Sequence, residues 1–279
     1  MIRRALVAFL APLLVAAGLQ AAPQLLYQPV EDDVITVLLL GADQGPPRGG
    51  SPLDARADAF HLLVVSPDRK HASFLNFPRD SWVPVAGVGT TKINACLVGG
   101  PERCVATVEN LFDTKVDAWF VTSMHGMADA FADFGGVEVD VETPVYDGGA
   151  DITETGPQVL RGEALTFARD RKNRSGGDFR RTEAQGELLI AAHHKLLAER
   201  RSVAGTLEAV RILRSHSVTN ATPAQLLRYG FTALEVETVH NVNVPGYAST
   251  AGAASVVRLT DDAFPLVRDV LQDGKPPQD

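Results

Sequence analysis

What this chain lacks already limits what it can be. Only two cysteines occur among its 279 residues, and neither has a histidine nearby, which disfavours a Cys/His zinc site. Basic residues are in deficit: 26 Lys and Arg face 34 Asp and Glu, a formal charge of −8. That balance disfavours a non-specific nucleic-acid binder. No Pro/Ser/Gly linker and no fixed-period repeat divide the chain, so a string of domains is not expected. What remains is enough chain to bury one large core. We read one globular domain over residues 34–273, a loose tail over 274–279, and a leader in front.

The leader begins with Arg3 and Arg4 and continues over residues 5–26 without a charge. Roughly 20 apolar residues cross a bilayer core, and two basic residues keep the preceding end, residues 1–4, in the cytoplasm. Ala-rich stretches at 15–17 and 20–22 also fit the cleavage site of a signal peptide. The reading adopted is an uncleaved membrane anchor at the bacterial cell membrane, with 27–33 as a linker. Under both readings the rest of the chain is exported. Export permits a disulfide between Cys96 and Cys104. Gly99, Gly100 and Pro101 between them suggest a turn that would bring the two together; the alternative is a pair of buried free thiols.

Along the domain, Val34–Leu40 is a continuous apolar run suited to a strand buried on both faces. Ala59–Ser66 and Ser73–Phe77 read as strands joined by a turn at 67–70. Pro101–Phe112 reads as a helix with Pro in its first turn, and Asp117–Val121 as a strand. Ser123 caps a following helix that Gly135-Gly136 ends, and Val137–Val141 alternates as a half-buried strand. A short helix at Gly162–Ala168 precedes a long one over Asp178–Glu199. Helices at Val203–Leu213 and Pro223–Leu234, strands near Val242 and Val256, and a helix at Asp261–Leu271 complete the pass. Strands and helices mingle without strict βαβ alternation. The expected fold class is therefore α/β of the mixed α+β kind: a single domain with a central mixed sheet flanked by helices on both sides, behind an N-terminal membrane helix.

Three polar groups stand out. On the long helix, Asp178, Arg181, Gln185, Leu188, Ala192 and Leu196 share one stripe. Its apolar end must face the core, which turns a carboxylate, a guanidinium and an amide inward. Such groups line a polar cavity or pair with one another, because burial without a partner costs several kcal/mol. Just before the helix, Arg169, Asp170, Arg171, Lys172, Asn173 and Arg174 form a basic cluster, either a solvated loop or an anion site. Arginine forks match phosphate oxygens, and a helix N-terminus adds positive charge. At the expected strand ends sit Asp43, Arg56, Asp58, Arg79 and Asp80. Asp43 and Asp58 suit a Mg²⁺ that keeps most of its waters, or else they form turns and pair with Arg56 and Arg79.

The order of these motifs is specific. GAD at 41–43, RAD at 56–58, FPRDSWV at 77–83, KINA at 92–95, GGP at 99–101 and VENLF at 108–112 occur in sequence. FGGVEVDV at 134–141, LRGEALTFARDRK at 160–172 and GDFRRTEAQ at 177–185 follow. This pattern resembles the LytR-CpsA-Psr family of cell-wall glycopolymer ligases, strongly over about 34–197 and more weakly over about 240–272. The resemblance implies that Asp43 and Asp58 are metal acids for Mg²⁺ or Mn²⁺. It implies that Arg56, Arg79, Arg169, Arg171 and Arg181 grip a pyrophosphate, with Asp80, Lys92, Asn94, Asp178 and Gln185 at further motif positions. Arg79, Asp58, Arg169, Arg171 and Arg181 are the expected catalytic set. Two departures stand out: Ala59 occupies a position where the family usually has Thr, and Ala184 one where it usually has Arg.

The implied activity is a phosphotransferase that moves a glycopolymer from a polyprenyl-pyrophosphate carrier to peptidoglycan and releases polyprenyl phosphate. Rivals are a pyrophosphatase that hands the same intermediate to water and a non-catalytic lipid-binding envelope protein. The family also implies an apolar slot for the lipid, for which Phe112, Val121, Phe131, Leu188 and Leu189 are candidates unless they are ordinary core. The implied partners are the lipid-linked polymer, peptidoglycan and the membrane, not nucleic acid.

Overall fold

A computed structural model describes residues 33–45, 49–146, 150–170, 177–199 and 201–277. The expected membrane segment and Arg171 lie outside them. Among the described residues no helix is long and apolar enough to cross a membrane.

The first half of the chain forms β1 (Ile35–Ala42), β2 (Ala57–Val65), β3 (His71–Asn76), β4 (Trp82–Val85), β5 (Gly89–Lys92), a 3₁₀ helix (Ile93–Gly99), α1 (Pro101–Phe112), β6 (Ala118–Ser123), α2 (Met124–Asp133) and β7 (Val137–Val141). The second half forms β8 (Gly156–Leu160), α3 (Ala164–Arg169), α4 (Asp178–Glu199), α5 (Val203–His216), β9 (Val218–Thr219), α6 (Pro223–Ala233), β10 (Thr238–Asn243), β11 (Gly246–Ala251), β12 (Ala254–Leu259) and α7 (Ala263–Asp273).

Six strands make the central sheet in the order β10-β3-β2-β1-β6-β9. The pairs β1–β2, β2–β3 and β6–β9 are antiparallel, whereas β1–β6 and β10–β3 are parallel, so the sheet is mixed as expected. Strict alternation splits its side chains between two layers. Leu38, Leu40, Phe60, Leu62, Val64 and Leu75 face α1 and α7, where Val108, Phe112, Val267 and Val270 complete the main core. Ile35, Val37, Leu39, Leu63 and Phe74 project from the other face, toward α2, α4, α5 and α6. This second layer does not close completely, and the space it leaves is described below.

Local chemistry fixes the element ends near the site. The register of β1 and β2 slips between Gly41 and Ala42, which pair with Ala59 and Ala57 and leave Asp58 as the unpaired residue of a β-bulge. Bulges re-aim side chains at sheet rims, and this one turns a carboxylate out of the ladder. Gly41 has a packing reason: a Cβ there would lie 2.8 Å from the Cβ of Ala59. Ser123 caps α2 by accepting the N–H of Gly126 at 2.9 Å. Gly100, at φ 95°, breaks the chain between the 3₁₀ helix and α1, so Cys96 and Cys104 approach to a Cα–Cα distance of 4.9 Å and form the expected disulfide. Eight residues of continuous α-helix would hold them about 12 Å apart.

Helices are found where periodicity placed them, and α1 and α4 have the expected bounds. The hairpins were less legible. β4 carries a Pro, β8 and β11 are poor in large apolar residues, and β9 has two residues. Each depends on its partner strand more than on its own composition.

Candidate functional site

Three segments converge at one rim of the sheet. The Asp58 bulge at the start of β2, the turn after β3 and the first turn of α4 bring an ion network together. Arg79 Nη1 lies 2.6 Å from Asp58 Oδ2, and its Nε lies 3.9 Å from both Asp80 Oδ1 and Asp178 Oδ1. Asp178 Oδ1 is also 2.5 Å from Arg181 Nη2, so one carboxylate links the two arginines. Lys92 Nζ reaches Asp80 Oδ2 at 3.1 Å. Asn94 is buried, and its backbone N–H donates to the Arg79 carbonyl at 3.1 Å, which ties the 3₁₀ helix to the turn that carries Arg79. Burial works against the Arg79 cation, but Asp58, Asp178 and Asp80 outweigh it and hold its pKa above the usual guanidinium range. Arg181 is only 4% exposed at the N-terminal end of α4, where the helix dipole is positive. These side chains are held in place by acids, and an anionic ligand would compete with those acids for the same guanidinium faces.

The remaining expected site residues are distributed around this network. Arg169 ends α3, half-buried, and α3 packs along α4. Arg56 is exposed beside Asp43: its N–H donates to Asp43 Oδ1 at 3.0 Å and its carbonyl accepts the Asp43 N–H at 3.0 Å. Asp43 and Asp58 thus stand on neighbouring strand ends. Each uses one carboxylate oxygen in a described contact and keeps the other without a hydrogen bond among the described residues. Two hard oxygen donors fit a Mg²⁺ that takes its other ligands from water and phosphate. Among the described residues no three His, Cys, Asp or Glu side chains converge as a ready-made metal cage.

Neither departure from the family pattern contributes a side chain to the ion network. Ala59 lines the cavity described next, on the face opposite the main core. Ala184 is buried in the cluster of Phe167, Ala168 and Leu188, so it occupies core rather than anion site. Its neighbour Arg180 does not substitute for a missing guanidinium, because Glu183, Glu187 and Glu142 hold it at 2.7, 3.0 and 3.3 Å.

Between the second face of the sheet and helices α2, α4, α5 and α6 lies a cavity of about 390 Å³. Its walls are almost wholly hydrocarbon, with Val37, Leu39, Leu63 and Phe120 from strands and Phe134, Leu196 and Ile212 from helices. Gly41, Ala59 and Gln185 also line it. Ala59 follows Asp58, and Gln185 is one helical turn beyond Arg181, so one end of the cavity adjoins the ion network. Of the candidate slot residues, Phe131 and Leu189 line the cavity. Phe112, Val121 and Leu188 do not: the first two pack in the main core under α1, and Leu188 faces the α3–α4 cluster. Val121 projects from the face of β6 opposite Phe120, which lines the cavity.

One polar device was not anticipated. His61, 3% exposed in the apolar run of β2, lines the cavity and lies 2.7 Å through Nδ1 from Asn76 Oδ1. Asn76 Nδ2 donates to Asn241 Oδ1 at 2.6 Å, and Asn241 Nδ2 donates to the Glu183 carbonyl at 3.2 Å. This relay fastens α4 to β2, β3 and β10 across the bare Cα of Gly186, where a Cβ would overlap the Asn241 side chain. Burial lowers the His61 pKa to about 4, so the ring is neutral at ordinary pH. A histidine inside AFHLLVV was the only sequence signal of this relay; its asparagine partners come from strands far apart in the chain.

Comparison with known proteins agrees with the motif order. Over 261 residues the chain is 29% identical to the polyisoprenyl-teichoic acid–peptidoglycan teichoic acid transferase TagV of Bacillus subtilis (strain 168), covering 85% of this chain and 64% of that one. It is 34% identical over 170 residues to the corresponding transferase TagU of Oceanobacillus iheyensis, covering 58% of this chain and 51% of that one. The chain thus spans less than two thirds of these curated relatives. TagT solved with LI-WTA bound superposes with a TM-score of 0.71 at 24% identity, over 88% of this chain and 91% of that one. The LytR_cpsA_psr family model matches residues 20–268, and the chain belongs to that family.

Proposed function

We propose that this protein is an extracytoplasmic, membrane-anchored transferase that moves a glycopolymer from a polyprenyl-pyrophosphate carrier onto peptidoglycan. The observation that carries the proposal is the junction of a hydrocarbon cavity with a partly buried arginine network. A lipid pyrophosphate has the same two-part chemistry, an apolar chain joined to a compact polyanion. The relatives TagV and TagU are named as polyisoprenyl-teichoic acid–peptidoglycan teichoic acid transferases, and TagT is solved bound to LI-WTA, which supports the same reading.

In the proposed reaction an acceptor hydroxyl attacks the phosphorus bonded to the first sugar of the polymer. A new O–P bond forms, the bond from that phosphorus to the bridging oxygen breaks, and polyprenyl phosphate leaves with the electron pair. Arg79 and Arg181 bind non-bridging oxygens and stabilise charge as it develops, with Arg169 and Arg171 as further cations and Lys92 at the Asp80 side. The hydroxyl proton passes to Asp58 or Asp80, which substitution of each by Asn distinguishes. Asp43 and Asp58 would hold Mg²⁺, which would supply further charge neutralisation at phosphate oxygens. The anchor over 5–26 would keep the site near its lipid substrate.

The test is full-length protein in micelles with a short polyprenyl-pyrophosphoryl oligosaccharide, peptidoglycan fragments and Mg²⁺, beside Arg79→Ala and Arg181→Ala. Joined product that is lost in both variants supports the proposal. Release of polyprenyl phosphate without joining would instead make the protein a pyrophosphatase. Binding without release, indifferent to both substitutions, would make it a carrier protein.

A further inference from the structure

The two small hairpins beside the ion network share a register that extends the site outward. In β4–β5, Trp82 pairs with Lys92. In β11–β12, Tyr247 pairs with Arg258. A parallel bridge joins Ser81 to Val257, with the Val257 N–H donating to the Asp80 carbonyl at 2.9 Å, and so sets Trp82 beside Arg258. Parity then assigns the faces. Ser81, Val83 and Val257 are buried, and Leu259 packs on the main core, so these point inward; on the opposite face Val256 is buried too, and that face opens at Arg258 and Tyr247. Lys92, Trp82, Arg258 and Tyr247 take the opposite face, in that lateral order. Tyr247 is 52% exposed, and Arg258 is exposed with no carboxylate partner among the described residues. Lys92 contacts Asp80 at 3.1 Å, so the row begins at the ion network and ends at open solvent.

We infer that this Lys92–Trp82–Arg258–Tyr247 row is the acceptor subsite, a platform for a glycan strand bearing carboxylates. The inference rests on the acceptor half of the proposed function. Three inter-strand steps of about 4.8 Å make a row of ~14 Å, the scale of a short oligosaccharide. Aromatic faces suit the apolar faces of sugar rings, and the uncompensated Arg258 suits a carboxylate on a sugar or its peptide. Continuity with Asp80 delivers the acceptor hydroxyl to the reacting phosphorus. A membrane surface would also accept such side chains, but it would not require the row to start at the ion network.

The chain has two tryptophans, and Trp119 is buried, so solvent-sensitive emission reports Trp82. Full-length protein in micelles is titrated with a muramic-acid-containing tetrasaccharide and with uncharged chitotetraose, and Trp82 emission is read. The row predicts a saturable change with both and tighter binding of the carboxylate-bearing glycan. Tyr247→Ala and Arg258→Gln should each weaken that binding about three- to tenfold, and Arg258→Gln should erase the preference for carboxylate. In transfer assays the same variants should raise the acceptor KM by a like factor and leave kcat and the donor KM within twofold. Unchanged acceptor binding in both variants, or quenching of Trp82 by brominated lipid in nanodiscs, overturns the subsite. Glycan binding on the row without transfer would refute the proposed function and leave the subsite standing. Transfer with an unchanged acceptor KM would do the reverse.

Discussion

On the proposed function, replacing Arg79 with Ala should separate catalysis from folding. Its guanidinium meets Asp58 at 2.6 Å and two further carboxylates at 3.9 Å, yet the side chain keeps 21% of its exposure and Asp58 keeps 24%. Solvent screens such pairs, so the loss to folding should stay near 1 kcal/mol. The loss to catalysis should be far larger. A fixed donor aimed at developing phosphoryl charge contributes roughly 10³ in rate, about 4 kcal/mol. Arg79→Ala also leaves Asp58, Asp80 and Asp178 without their shared cation, so their charge would repel the proposed pyrophosphate. Arg79→Lys restores the charge without the planar fork and should recover part of the rate. The assay is single-turnover release of polyprenyl phosphate, beside urea unfolding of each variant. A rate loss below about tenfold in Arg79→Ala, with folding intact, would refute this reasoning.

Acid should destabilise the protein through His61. Its pKa is about 4 in the fold against an ordinary 6.5, because burial penalises the imidazolium, so the unfolded chain binds more proton between those values. Stability is full above pH 6.5 and falls by about 3 kcal/mol as pH drops to 4, and urea midpoints of His61→Gln should show a shallower fall over that window. Reduction of Cys96–Cys104, which closes a loop across a sequence separation of 8, should cost about 2.5 kcal/mol, read as a lower Tm with dithiothreitol and in Cys104→Ser. Gly186→Ala reverses the usual sign of a helix substitution. Alanine normally gains about 0.5–1 kcal/mol over glycine in a helix interior, but here its Cβ collides with the hydrogen-bonded Asn241 and should lower stability by about 1–3 kcal/mol.

Much of this architecture was readable from the residues. Apolar runs marked β1 to β3, and the Pro101 and Asp178 starts marked α1 and α4, because burial and capping act locally. The polar stripe on α4 posed a choice between cavity and ion pair, and the structure combines them: Asp178 and Arg181 pair, while Gln185, one turn on, lines the cavity. The cavity itself was not legible. Ile35, Val37 and Leu39 have the composition of ordinary core, and only the incomplete closure of four helices over them leaves a space. Nor could the Trp82–Arg258 neighbourhood be read, since it depends on one bridge between segments more than 170 residues apart.

The most direct test asks whether cavity and arginine network hold two ends of one ligand. Binding of a polyprenyl pyrophosphate and of inorganic pyrophosphate would be compared in wild type and in Ala130→Phe, which places a ring in the cavity. Burying even ~110 Å² of hydrocarbon contributes about 2.7 kcal/mol, a hundredfold in affinity. The account predicts that the lipid form binds at least about 100-fold more tightly in wild type. It also predicts that Ala130→Phe removes most of that advantage and leaves inorganic pyrophosphate unchanged. Equal affinity for the two ligands in wild type, or a lipid preference that survives the filled cavity, would contradict it.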